Sequence, residues 1–509
     1  MSSYYEPESM HDLILHTEEL YASVPFLYSW HGADFTSATY ATFISDVRRA
    51  ADWFIAHGYK DKSIMLFGKN SYEWLVCYVA ITAYVGVCVG ASKDWKHYDL
   101  DRAIEVSVPD VIIFDESLRE FTTPFAAKLA VFPFSGVVVA DGVEVKNNPR
   151  YDALARKKTD NAVIVFTTGT TSLPKATPLT LANMFANGES LYSRTQLTKE
   201  DVLYMFLPMH HIYSQVCVSM AAFLVGAKLY IAHDLNNLEE ELRLCQPTML
   251  SGVPLFFERV LGAINPADMR KIKKVAKVLH FFHASAQLRK KIFKKIHDVF
   301  GGRLKTFTSG GAPLDFATKQ LLRDMGFVVV EGYGMSEASG VVSAEVPGES
   351  VPRSVGKVLE NIEVKIKNPA ADGYGELLIR GRNVTAGYIN KGVVDTSCFD
   401  EDGYYKTNDE GYMDEGRNLF VRGRMGKAMV LSSGENISVD EMSLLIKTVA
   451  HIDKVYLSER DGYLEATLFT HETKEAIADA LDTLNAELPR YKHLQKWTII
   501  NDYTAPEMK

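Results

Sequence analysis

With 509 residues, 47% of them hydrophobic and 23% charged, the chain has the balance of a folded globular protein and exceeds the length at which one hydrophobic core keeps growing. Its formal charge of −9 excludes a global attraction to nucleic acid or to anionic membranes, leaving only local basic patches for such contacts. Five scattered cysteines, Cys77, Cys88, Cys217, Cys245 and Cys398, include no C-x-x-C pair, so neither a disulfide framework nor a zinc site is indicated and a reducing cytoplasm is the expected location.

The opening residues are acidic and lack a basic start followed by an apolar run, so they do not read as a secretory signal. Strand-like runs at Ser63–Phe67, Val111–Phe114 and Val328–Val330 alternate with longer helical patterns through about residue 340, the pattern of an α/β body. The uncharged run Trp74–Ser92 is long enough to raise a membrane-span reading. Gly86 interrupts it, and Val85, Val87 and Val89 switch to period two, which predicts a buried helix running into a buried strand.

Next in the chain comes Val163–Lys175, VIVFTTGTTSLPK, an apolar strand leading into a loop of hydroxyl residues with a glycine and a lysine. Backbone N–H groups near Gly169 and the hydroxyls of Thr167, Thr168, Thr170 and Thr171 can donate to phosphate oxygens, and Lys175 adds a point charge. The spacing is not that of a Walker loop, and by itself the stretch fits a phosphate site and a plain threonine-rich turn equally. The segment TTGTTSLPKA resembles the phosphate-loop signature of the adenylate-forming superfamily, which includes acyl-CoA synthetases, luciferases and peptide-synthetase adenylation domains. It departs from that signature at Ser172 and Ala176, where glycines are usual, a change expected to stiffen the loop or alter its backbone angles.

Further matches follow in the family's order. Leu207–Pro208–Met209–His210–His211 resembles the segment ending in a histidine near the acyl pocket, which places His211 there; Tyr213 and Val253–Pro254 continue the likeness. Two basic clusters, Arg270–Lys277 and Arg289–Lys295, read as solvated helix faces, with contact to CoA phosphates or to a membrane surface as the other reading. Ser309–Gly310–Gly311–Ala312–Pro313–Leu314 resembles the adenine-contacting turn, and Glu331–Gly332–Tyr333–Gly334–Met335–Ser336–Glu337 the Y-G-x-T-E motif. In those roles Tyr333 offers a flat face to adenine, Ser336 a hydroxyl to phosphate, and Glu337 a hard carboxylate for Mg²⁺ bound to the nucleotide.

From Val351 the pattern shifts to short strands separated by turn signals at Gly356, Asn368–Pro369, Asp372–Gly373, Asp402–Gly403 and Glu415–Gly416, which predicts a β-rich end to the body. Tyr405–Lys406–Thr407–Asn408–Asp409 resembles Y-[RK]-T-G-D, whose aspartate accepts both ribose hydroxyls; Asn408 stands where glycine is usual, and both residues tolerate positive φ. Arg424 matches the arginine that also contacts the nucleotide. Gly426 occupies the position of the hinge about which the family's small domain rotates, and Gly434 the turn lining the pantetheine tunnel. A capping box at Ser438 and Glu441 opens a helix with Met442, Leu445, Ile446 and Val449 on one stripe, and Ile477, Leu481, Leu484 and Leu488 mark a second. Lys509 resembles the lysine that contacts the acyl carboxylate and α-phosphate, though it comes one position late and lacks the usual preceding glycine; the other reading is a solvated terminal charge.

The fold expected is α/β: a large N-terminal body of α/β subdomains with a β-rich subdomain, residues 1–423, and a small mobile α+β domain, residues 424–509. The resemblance, closest to long-chain fatty acyl-CoA synthetases, implies an ATP- and Mg²⁺-dependent acid–thiol ligase that forms an acyl-AMP and transfers the acyl group to CoA. Lys175, Glu337 and Lys509 are its implied catalytic residues; Thr167, Thr168, Gly169, Thr170, Thr171, Gly311, Ala312, Pro313, Glu331, Gly332, Tyr333, Gly334, Ser336, Asp409 and Arg424 its nucleotide contacts. Implied partners are ATP, a carboxylic acid and CoA, without nucleic acid or a transmembrane segment. Two readings stay beside it: an adenylating enzyme that loads a separate carrier protein or an amine, and a non-catalytic nucleotide- or acyl-binding protein.

Overall fold

The computed structural model describes residues 5–31, 34–95, 97–138, 144–167, 175–262, 264–425, 428–430, 436–450, 452–460, 463–488 and 492–501. The chain forms two compact units, Met1–Glu363 with Arg380–Tyr405, and Val364–Ile379 with Lys406–Lys509. The first is mixed α/β and carries two large sheets.

One sheet has nine strands. Its centre is a parallel array in the spatial order Pro25–His31, Lys228–Ile231, Val202–Met205, Met249–Gly252, Thr306–Ser309 and Val328–Tyr333. Antiparallel strands close its edges: Asp34–Thr39 on one side, Ser343–Ala344 and Lys357–Val358 on the other. The other sheet has eight strands. Asn161–Thr167, Val87–Ser92, Ser63–Gly68, Val111–Phe114 and Ala130–Pro133 run parallel in that order. Lys175–Thr180, Tyr388–Asn390 and Val393–Asp395 add antiparallel strands beyond Asn161–Thr167.

The inner parallel strands are apolar on both faces because helices cover both sides, which is why Val111, Ile112, Ile113 and Phe114 are all buried. The three strands expected from Ser63, Val111 and Val328 are all present. The uncharged run at 74–92 resolves as helix Tyr72–Ala80, one π turn Ile81–Val85, and strand Val87–Ser92. Gly86 makes the break because the chain passes against the Lys62 backbone, where a Cβ would collide with the Lys62 carbonyl. Among the described residues no helix is long and apolar enough to cross a membrane.

The second unit contains a four-stranded sheet, Ile362–Lys367, Gly375–Gly381, Tyr405–Met413 and Leu419–Arg424, whose first three strands span the points where the chain passes between units. The turn signals from Val351 onward fall where the backbone reverses: Gly356, Asn368, Gly373 and Gly403 all have positive φ. At Glu415–Gly416 the left-handed residue is instead the next one, Arg417.

Beyond Arg424 the same unit holds the small α+β module that the sequence predicts. Helices Val439–Ala450 and Lys474–Glu487 accompany a three-stranded sheet, Lys454–Arg460, Tyr463–Phe469 and Leu494–Ile500. Met442, Ile446, Ile477, Leu481 and Leu484 bury with Leu464, Leu468 and Leu494 in a core of their own, and Thr473 caps the second helix by accepting from Ala476 N–H. Val449, at the end of the first stripe, is exposed.

Leu481 is 1% exposed at the centre of this core. Leu481→Ala should cost about 2–5 kcal/mol of the module's stability. Chemical denaturation followed by tryptophan fluorescence checks this, since Trp497 packs against the same core.

Candidate active site

Parallel strands in a doubly wound sheet place their carboxyl ends on one edge, where loops are free to differ in sequence without disturbing the ladder. Here Gly252 is level with Ser309, and Ser309 with Glu331. The segments Val253–Pro254 and Gly310–Leu314 therefore leave the sheet side by side, Gly334–Glu337 leaves the next strand two residues later, and Leu207–His211 follows the neighbouring strand Val202–Met205. Four stretches far apart in sequence become neighbours because of strand register alone.

Hydrogen bonds then fix each loop. Tyr213 hydroxyl shares a 2.8 Å bond with Thr308 Oγ1, which donates at 2.9 Å to Ser251 Oγ. Asn70 grips the Leu207–Met209 segment from both sides, donating to Leu207 O and accepting from Met209 N, each at 2.8 Å. Gly311 turns the chain with φ +80°, leaving Gly311, Ala312 and Pro313 exposed. The turn is anchored by Leu314 N–H, which donates at 3.0 Å to Glu331 Oε1.

Glu331, expected from the family motif among the nucleotide contacts, has its carboxylate committed to the protein. Its Oε2 accepts from Lys319 Nζ at 2.6 Å, and Lys319 also donates to Glu345, which in turn accepts from Arg323 and from the Glu331 backbone N–H. Lys319, Glu331 and Glu345 are buried charges that tolerate the interior because each is paired and bonded, with Arg323 partly exposed at the edge.

The turn Tyr333–Val341 carries Glu337. Ser336–Ala338 forms a single 3₁₀ turn closed by Ser339 in the left-handed region, and Gly340 follows at φ +102°. Gly334 must lack a side chain because a Cβ there would strike the Gly340 carbonyl. Two buried asparagines hold this turn from below. Asn187 Nδ2 donates to Ala338 O and Ser339 O, both at 2.8 Å. Asn383 Nδ2 donates to Asn187 Oδ1 at 2.8 Å and to Ala338 O and Val341 O at 2.9 Å.

Glu337 is 7% exposed, and Tyr388 hydroxyl donates to its Oε1 at 2.7 Å. Tyr388 also shares a 2.6 Å bond with the Tyr405 hydroxyl. Burial and then the Glu337 charge push both phenols well above their ordinary pKa, so they remain protonated donors. On the other side of Tyr388, Lys175 Nζ lies 4.7 Å from the ring centroid. Tyr388 thus links the lysine and the carboxylate that the sequence singles out 162 positions apart. Thr167 is cross-strand partner to Lys175. Ala176, one step further, is no loop residue: it lies fully buried in the strand opposite Phe166 and Ile389, so its methyl group fills core space.

Of the histidine pair, His211 is exposed, with its pKa lowered by incomplete solvation, while His210 is the more enclosed ring. Burial first, then the neighbouring His211 and Lys93, lower His210 to about 3. In the second unit Asp409, 6% exposed, pairs with Arg424 across adjacent strands, Oδ1 to Nε 3.2 Å. Asn408 holds φ +56°, the conformation glycine would adopt at that position. Thr168, Gly169, Thr170, Thr171, Gly426, Gly434 and Lys509 lie outside the described residues.

Tyr388, Asn187, Asn383 and Asn70 were not singled out by sequence. Each bonds to protein groups distant in sequence, which leaves no local pattern to read.

A family model described as AMP-binding enzyme matches residues 20–389. The chain belongs to the AMP-binding enzyme family. Among curated proteins it is 28% identical to a long-chain-fatty-acid–CoA ligase of Mycobacterium bovis over 79% of this chain and 72% of that one. It is 25% identical to a long-chain-fatty-acid–CoA ligase of Rattus norvegicus over 94% of this chain and 80% of that one. Among solved structures, o-succinylbenzoate CoA synthetase of Bacillus subtilis in complex with ATP and magnesium ion superposes with TM-score 0.77 at 20% identity, over 96% of this chain and 95% of that one. ATP-bound MatB of Rhodopseudomonas palustris gives 0.76 at 21%, over 97% and 95%. These two likenesses establish the fold: a large N-terminal body with a small C-terminal domain.

The enclosed His210 makes one pH dependence calculable in sign. Its folded pKa lies below its unfolded value, so the folded state disfavours the proton; the resulting stability is complete above about pH 6.5 and is lost as pH falls toward 3. His210→Gln should therefore lose less unfolding free energy than the parent between pH 6.5 and 5. Parallel urea titrations across that range check the difference.

Proposed function

We propose that this AMP-binding enzyme activates a carboxylic acid, of the fatty acid class, as an acyl-AMP at the expense of ATP and passes the acyl group to CoA. The observation that carries this reading is the arrangement of Lys175 and Glu337 about Tyr388 in a chain of this family. The names of the long-chain ligase relatives support the choice of acid, and a cytoplasmic setting accompanies it.

In the first step a carboxylate oxygen of the acid attacks the α-phosphorus of ATP, the bond to the β-phosphate oxygen breaks, and pyrophosphate departs. The residues act by placement and by neutralising charge. Lys175 supplies a cation to the phosphates, assisted by the hydroxyls of Thr167, Thr168, Thr170 and Thr171 and by the backbone at Gly169. Tyr333 and the Gly311–Ala312–Pro313 turn receive the adenine, Gly332 and Gly334 let the backbone approach, and Ser336 donates to phosphate. Glu331 contributes through its hold on Leu314 N–H rather than by contact. Asp409 accepts from the ribose hydroxyls with Arg424 beside it, and Lys509 meets the reacting carboxylate.

Among the described residues no group of three or more acidic, histidine or cysteine side chains could hold a metal unaided. A single buried carboxylate oriented by a phenol fits a magnesium ion that brings phosphate oxygens as its other ligands. Glu337 would hold that ion, which offsets the negative charge of the departing pyrophosphate.

In the second step the CoA thiol attacks the acyl carbonyl, its proton passes to solvent, and AMP leaves. Residues 424–509 act here as the mobile domain, with Gly426 as pivot and Gly434 along the thiol's path. His211 borders the acyl group.

Acid-dependent exchange of labelled pyrophosphate into ATP tests the first step, using fatty acids of graded length and aromatic acids. Exchange is expected with fatty acids and should fall about 10²-fold or more in Lys175→Ala and Glu337→Gln. Absence of exchange with every acid overturns adenylation. Thioester appearing only on a phosphopantetheinylated carrier protein, and never on CoA, overturns the choice of acceptor. Tyr388→Phe removes the donor that orients Glu337 and should raise the Mg²⁺ concentration for half-maximal exchange several-fold while leaving the KM for the acid unchanged.

A further inference from the structure

Residues 266–299 hold ten lysines and arginines against two aspartates, a net charge of +8 inside a chain whose total is −9. The helix Pro266–Phe281 in this stretch has two working faces. Met269, Ile272, Ala276 and Leu279, at helical spacing, turn into the core with Phe293 and Leu322. The outward face carries Val275, Val278 and Phe281, continued by Phe282 just past the helix end, with Lys271, Lys274 and Lys277 among them.

Phe281 and Phe282 are 74% and 73% exposed, the most exposed large hydrophobic side chains among the described residues. The following helix, Ala286–Ile292, adds Leu288 and Ile292, both nearly half exposed, beside Lys290 and Lys291. The nearby acids are taken: Asp268 by Lys271, Asp298 by Lys294, and Asp324 by His280 and Arg289. Lys273, Lys274, Lys277, Lys290, Lys291 and Lys295 have no carboxylate within ion-pair distance among the described residues.

Because the inward face is filled by the core, the outward valines and phenylalanines are left at the surface, Phe281 and Phe282 meeting only edge to face with each other among the described aromatic rings. Apolar side chains standing proud of a lysine field match an interface in which phenylalanines enter the acyl boundary while ammonium groups stay at the headgroups. We propose that the helix Pro266–Phe281 and the segment following it form a docking surface for an anionic lipid bilayer. The occupant is identified by charge and shape: the surface needs a broad negative plane with apolar depth beneath it. This rests on the surface alone and is independent of the acid or acceptor in the reaction.

Sedimentation of the full-length protein with extruded vesicles tests it, comparing phosphatidylcholine alone with phosphatidylcholine containing phosphatidylglycerol. Binding is expected only to the anionic vesicles and should weaken as salt rises. Phe281→Ser/Phe282→Ser and Lys273→Glu/Lys274→Glu/Lys277→Glu should each lower partitioning by about tenfold or more. Unchanged thermal melting of both variants shows that folding is intact, whether or not pyrophosphate exchange is found. No vesicle binding by the parent protein, equal binding to neutral vesicles, or binding untouched by both variants overturns the proposal. So does capture of an acidic carrier protein by this face without any binding to vesicles.

Discussion

The turn that carries Glu337 is held by two asparagine side chains with no exposure to water, and the rest of the candidate site depends on that hold. The turn closes backbone bonds of its own, Ala338 and Gly340 N–H to Met335 O, Ser339 N–H to Ser336 O and Val342 N–H to Tyr333 O, with left-handed geometry at Ser339 and Gly340 and glycine required at Gly334. Asn187 and Asn383 add amide donors aimed at the Ala338, Ser339 and Val341 carbonyls, and bond to each other. Inside a protein such bonds are strong, and an unpartnered carbonyl is costly, so the network permits one arrangement of the turn. It also joins distant parts of the sequence, since Asn187 belongs to the helix Leu181–Thr195 and Asn383 precedes the strand of Tyr388. One buried contact thus fixes the carboxylate and its phenol donor relative to each other.

Strand register supplies the second constraint. With Gly252, Ser309 and Glu331 level, the loops leaving the sheet have no freedom to drift along its axis. The ion network of Lys319, Glu331, Glu345 and Arg323 then ties the Gly310–Leu314 turn to the neighbouring strand. Burying three charges, Lys319, Glu331 and Glu345, is expensive, and apolar residues of similar volume would often give equal stability. What they give in exchange is direction, because a carboxylate accepting from both Leu314 N–H and Lys319 Nζ defines where the exposed turn must sit. The scaffold is thereby rigid beneath and open above, with Gly311, Ala312 and Pro313 at the surface.

Much of this was legible in the sequence, for reasons that differ by element. The strands at Ser63, Val111 and Val328 announce themselves because central parallel strands must be apolar on both sides. The helix stripes of Met442–Ile446 and Ile477–Leu484 follow from the 3.6-residue period. The motifs at Lys175, Tyr333, Glu337 and Asp409 are readable because each is a short local run whose residue types carry the family resemblance. Tyr388, Asn187, Asn383 and Asn70 escaped because each serves another protein group, and an asparagine bonded to carbonyls 150 positions away leaves no local pattern. Glu331 shows the converse: its place in a motif suggested ligand contact, whereas its oxygens point to Leu314 and Lys319.

The departures from the family pattern separate by backbone geometry rather than by chemical similarity. Asn408 replaces glycine at φ +56°, where asparagine is among the least strained alternatives. Ala176 replaces glycine in a regular strand, where positive φ is not required and a methyl group gains burial against the core. The expectation that this alanine alters the loop's backbone angles is therefore corrected by its location: it belongs to the ladder and not to the loop. Gly334, by contrast, keeps the motif's glycine where the Tyr333–Val341 turn leaves no room for a Cβ, and Gly340 in the same turn holds a left-handed angle. A glycine can be exchanged where its role is composition and must stay where its role is space, and the two cases are distinguished only by what lies opposite the missing side chain.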